Sequence, residues 1–135
     1  MNRVIKFRSW VEHEDKISGK NNYSYMQENP HFQGSINEIF ATSGKEPLNI
    51  YGCKVTYMQF TGLHDKNGVE VYEGDIVRKT LNGKENFIGQ VIYSEGTYFL
   101  ELPPEEYVFL FDEHQIYENE VIGNIHEHPH LLEGS

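Results

Sequence analysis

Residues 61–79, Thr-Gly-Leu-His-Asp-Lys-Asn-Gly-Val-Glu-Val-Tyr-Glu-Gly-Asp-Ile-Val-Arg-Lys, hold two tight-turn signals on either side of a short β-branched run. Asn67-Gly68 is a strong hairpin signal, because both residues accept the positive φ angles that tight hairpin turns demand. Val69 and Val71 then alternate with Glu70 and Tyr72, Glu73-Gly74 supplies a second bend, and Asp75-Ile76-Val77 restarts a strand. The stretch predicts a chain built from strands and sharp reversals.

Downstream, the same grammar continues. Strands are expected near 50–60, 69–72, 75–80, 86–93, 97–102, 106–111 and 120–126, with turns at Asp65–Gly68, Glu73-Gly74, Asn82-Gly83, Glu95-Gly96 and Pro103-Pro104. Upstream, residues 3–10 alternate toward Trp10 as an opening strand, whereas 11–34 is polar and shows no clean period. Ser35-Ile36-Asn37-Glu38 has capping-box spacing, and Ile36, Ile39 and Phe40 fall at helical intervals, which predicts one short helix before Ser43-Gly44. The expected fold is mainly β. It comprises a small SH3-like or related antiparallel barrel over 47–132 after a less regular segment, 1–46, within a single domain of 135 residues.

Composition agrees with sheet over helix. Nine Tyr and eight Phe supply ring volume while alanine is nearly absent. The formal charge of −10 disfavours a phosphate-backbone binder, which needs clustered cations; Arg78, Lys79 and Lys84 are the residues from which folding could assemble a basic patch. Cys53 is the single cysteine, which excludes an intrachain disulfide and fits a reducing compartment. With no histidine beside it in sequence, Cys53 reads as a small core residue rather than a catalytic thiol. No signal-peptide run or span of eighteen apolar residues occurs, so a cytoplasmic location without membrane contact is expected.

Thr61 to Val77 also resembles the YopX-like family, whose pattern is close to TGL-x-D-x-NG-x-x-(I/V)-YEGDI(V). Lys6-Phe7-Arg8-Ser9-Trp10 is similar to the family's FRAW-like opening, and Gly123-Asn124-Ile125 with Pro129-His130-Leu131-Leu132 is similar to its closing motif. Val11 and the histidines at 126, 128 and 130 depart from that pattern. The resemblance implies a phage- or prophage-encoded, largely β protein of uncharacterised biochemical activity.

Three groups of residues could carry function. Asp65, Glu70, Glu73 and Asp75 could bind Mg²⁺ or perform acid–base work, but turn chemistry accounts for them: Asp65 and Asp75 are expected to cap their own turns. Gly62, Asp65, Asn67, Gly68, Glu73, Gly74, Asp75, Gly123 and Asn124 therefore read as a motif that shapes the backbone. His126, His128 and His130 could chelate a metal on an extended chain, yet no zinc-site motif is present and Pro129 interrupts strand geometry, so a solvated tail is expected. Finally, 106–111 is apolar on both faces, so Tyr107, Phe109 and Phe111 are candidates for an interface. These readings favour a non-enzymatic binding or assembly module that self-associates, meets a phage or host protein, and uses no cofactor, catalytic residue or metal. The alternatives are a small metal-assisted hydrolase using Asp65, Glu73, Asp75 or the histidines, and a nucleic-acid-binding SH3-like barrel.

Overall fold

Strand after strand pairs antiparallel, as the alternation and the Gly-centred turns require. The computed structural model describes residues 5–13, 23–28, 43, 47–50, 53–81, 85–110 and 117–133. The short helix expected before Ser43, from Ser35, and the Asn82-Gly83 turn lie outside them. By its contacts the chain divides into two compact units, Met1–Phe60 and Thr61–Ser135.

The first unit is built on β1 (Phe7–His13), β2 (Tyr23–Glu28), β3 (Leu48–Ile50) and the start of β4 (Cys53–His64). They lie side by side in the order β2-β1-β4-β3. Phe7, Val11, Val55 and Tyr57 form its buried core, with Leu48 and Cys53 packed against them. β1 runs further than the sequence predicts, through Val11 to His13, because its pairing with β4 carries on from Phe7↔Gln59 to His13↔Cys53. β2 falls in the segment without period. Its Tyr23 and Tyr25 are exposed, so no buried face imposes alternation, and pairing to β1 defines the strand instead.

The second unit contains the end of β4 and β5 (Glu70–Tyr72), which pair with each other, and a five-stranded sheet. That sheet is made of β6 (Asp75–Leu81), β7 (Glu85–Ser94), β8 (Thr97–Leu102), β9 (Glu106–Phe109) and β10 (Tyr117–Asn124). Its order is β10-β6-β7-β8-β9. A 3-10 turn, Pro129–Leu132, follows. Val77, Val91, Leu100 and Leu110 are 0 to 1 % exposed and form the core with Val71 and Leu102. The expected barrel is not closed. β10 returns beside β6, leaving β9 and β10 at opposite edges, and closure would need a ladder between them.

Two glycines explain how this sheet fits together. Gly74 has φ +84° in the Glu73-Gly74 turn, and its N–H donates to Val91 O while its own carbonyl accepts from Ile125 N–H, both at 2.9 Å. A β-carbon there would be strained by the backbone conformation itself. Gly89 serves close approach: a β-carbon would stand 2.5 Å from Glu101 O and 2.8 Å from Leu102 Cδ2. Both turns predicted within 61–79 are present, and Pro103-Pro104 forms a cis peptide at the β8–β9 reversal.

Candidate interaction surface

The residues of the turn motif hold backbone in place. Asp65 is buried; its Oδ1 accepts from Asn67 N–H at 2.8 Å and Val69 N–H at 2.9 Å, and its Oδ2 accepts from Val121 N–H at 2.9 Å. Burial would raise its pKa, but the Val121, Val69 and Asn67 amides and the nearby Lys66 charge outweigh that and hold it below the ordinary value. Asp75, 1 % exposed, accepts from Tyr72 N–H at 2.7 Å. Asn124 does the same further on, its Oδ1 accepting from His126 N–H at 3.0 Å and Glu127 N–H at 2.9 Å. Asp65 and Asp75 thus cap turns as expected, and Asp65 also reaches β10, which the sequence did not reveal.

The C-terminal histidines are folded into the unit rather than trailing as a tail. His128 Nδ1 accepts from Asn124 N–H at 3.2 Å, and the ring lies where a β-carbon on Gly123 would meet it at 2.8 Å. Among the described residues, no three His, Cys, Asp or Glu side chains are grouped so as to hold a metal ion. Beside the 3-10 turn is a groove of about 460 Å³ whose walls include Phe87, Leu102, Leu131 and Leu132, with Glu106 and His130 among its polar groups.

Among the described residues, Arg78 and Lys79 do not form a basic patch. Arg78 pairs with Glu120 at 3.3 Å. Lys79 is 3 % exposed, and its ammonium donates to Leu110 O at 3.0 Å and Asn119 Oδ1 at 3.3 Å. Asn119 Nδ2 donates to the same Leu110 carbonyl at 3.2 Å. Lys79 therefore fixes the residue that follows β9, and Lys84 lies outside the described residues.

Cys53 has a partner that the sequence hides. His13 stands opposite it in the ladder, with Sγ 3.3 Å from Nδ1 and 3.4 Å from Nε2. Tyr23 stacks on His13 with centroids 4.3 Å apart. The arrangement is a packed row across β4, β1 and β2.

A further exposed surface is the edge at β9. Tyr107 and Phe109 are 55 and 62 % exposed; Phe111 lies outside the described residues. Phe109 stacks on Phe99, its ladder partner, with centroids 5.0 Å apart. Leu110 N–H donates to Tyr98 O at 3.2 Å, so rungs alternating from there put Leu100 and Val108 in a hydrogen-bonded pair. Tyr107 and Phe109 are then in non-hydrogen-bonded pairs, and their backbone N–H and C=O groups point away from the sheet. Among the described residues no strand pairs with that side. The opposite edge is covered: Lys66 N–H donates to Asn119 O at 2.9 Å, and Asp65 takes Val121 N–H.

Negative charge surrounds the open edge. The charge of Glu101, directly across the ladder, is the first cause of a raised Tyr107 pKa; removal from water, a hydrogen bond to the same carboxylate and the Glu105 charge follow. Glu105 and Glu106 are exposed at the start of β9. From Glu85 to Ser135 the sequence contains no Lys or Arg.

Comparison with known proteins sharpens identity more than activity. The crystal structure of protein EF1440 from Enterococcus faecalis is similar, with TM-score 0.52 and 24% sequence identity, covering 97% of this chain and 99% of that one. At this identity the likeness shows a shared fold. No curated protein matches. No helix among the described residues is long and apolar enough to cross a membrane. The family model described as YopX protein matches residues 6–133, nearly the whole chain, and the chain belongs to the YopX family.

Proposed function

We propose that this YopX-family protein is a non-enzymatic binding or assembly module, of phage or prophage origin as the resemblance implies, that docks other polypeptides at the β9 edge. The observation that carries the reading is the pairing of outward backbone groups with exposed rings at the same two residues, Tyr107 and Phe109. An unpaired edge is a template for another strand, and proteins that do not use one blunt or cover it. Among the described residues β10 is covered and β9 is not. A second copy is one possible occupant, which would make the protein self-associating.

The hydrolase reading fits less well, since Asp65 accepts three backbone amides and Asp75 accepts one, which commits both to the turns. The test is parallel affinity capture from host lysate with wild type and a folded Phe109→Ser variant. Partners recovered only by wild type support the reading. Identical recoveries would reject β9 as the docking site.

A further inference from the structure

We infer that the occupant of the β9 edge is a short extended segment bearing basic side chains, added as a further strand to the sheet. This rests on the binding-module reading and names its partner class. The backbone supplies the first half of the argument. Outward N–H and C=O groups at Tyr107 and Phe109 offer two rungs of an antiparallel or parallel ladder, and a segment of about five residues spans β9. Side chains of such a strand project alternately, so every second one lies on the face that carries the rings of Tyr107, Phe109 and Phe99.

Charge supplies the second half. A Lys or Arg on that face meets aromatic rings and the carboxylate of Glu101, while the residue entering beside the start of β9 meets Glu105 and Glu106. Residues 61–135 contain fifteen acidic and four basic residues, whereas 1–60 contain six and seven. Two copies meeting at β9 would therefore oppose like charges. An acidic or neutral strand would forgo the attraction, and a cationic one gains it. The groove beside the 3-10 turn is less informative, because nothing distinguishes one apolar occupant from another.

The probe is a fluorescent, end-blocked peptide of roughly eight residues alternating Lys and Val, compared with its Glu–Val and Ser–Val counterparts on the full chain. The Lys peptide is expected to bind about tenfold or more tightly than the Glu peptide, and to weaken with salt and in Glu101→Gln with Glu106→Gln. Tyr107→Pro removes an outward N–H without removing a rung, and should abolish binding; Phe109→Ser, checked for folding by circular dichroism, should weaken it. Slowed amide exchange at Tyr107 and Phe109 in the complex would identify strand addition. Equal binding of Lys and Glu peptides would overturn the inference. So would Lys-peptide binding unchanged by Tyr107→Pro, which would mark diffuse attraction to an acidic surface. A doubled mass in light scattering, lost in Tyr107→Pro, would replace the cationic segment by a second copy and leave the docking edge standing. Binding and mass indifferent to every β9 change would reject the edge itself.

Discussion

Asp65 ties two distant segments through three backbone N–H groups, those of the exposed Asn67 and Val69 and of the half-buried Val121, and all three lose this acceptor when the carboxylate is removed. Asp65→Ala should therefore cost about 2–3 kcal/mol, measured by urea denaturation. Its depressed pKa adds a pH signature. The stabilisation is present above the unfolded-state value, about 3.9, and is lost as pH falls through the lower folded-state value. The stability gap between wild type and Asp65→Asn should accordingly narrow on acidification through that window; a gap constant down to unfolding would show that ionisation is irrelevant. Gly89→Ala should cost about 1–3 kcal/mol, because the new methyl meets a backbone carbonyl that cannot rotate away. Urea midpoints equal to wild type would refute the close approach. The capping roles of Asp65 and Asp75 are legible in sequence because they act over two to four residues. The Val121 bond, the buried Lys79 and the Cys53–His13 contact are not, since each joins residues thirty or more apart.

At the scale of elements, the rung pattern of β9 makes neighbouring positions unequal. Val108 lies in a hydrogen-bonded pair with Leu100, so Val108→Pro removes a ladder bond and should cost about 1–3 kcal/mol. Tyr107→Pro loses only an outward N–H and should cost markedly less, as edge strands tolerate proline on that side. Thermal unfolding of the two variants decides it; the reverse order would mean that the rungs are assigned to the wrong residues. Strands after Pro47 are legible because Gly-centred turns separate alternating runs. β2 is not, for an exposed edge strand needs no alternation and is defined by its neighbour. The expectation of a barrel over 47–132 rests on short strands and closely spaced turns, but local pattern says which residues extend, not which strand returns beside which. The return of β10 to β6 decides that the sheet stays open.

For the whole molecule, the formal charge of −10 is unevenly held: residues 1–60 carry +1 and 61–135 carry −11. Few of the pairs in the second unit offset this, since Lys66 and Arg78 share Glu120 at the surface, where such pairs contribute little. Self-repulsion should therefore oppose folding chiefly in the second unit. The Debye length shortens from about 30 Å at 0.01 M to about 8 Å at 0.15 M salt, which removes most of this repulsion between exposed carboxylates. A gain of about 1 kcal/mol would raise the midpoint by about 3–5 °C for a chain of this size. Glu105→Gln with Glu133→Gln should recover part of that gain at low salt and flatten the salt response, whereas Glu28→Gln in the first unit should leave it unchanged. Equal effects from both units would mean that the repulsion is set by net charge alone. A response confined to the second unit would establish the uneven field that favours a cationic strand at β9.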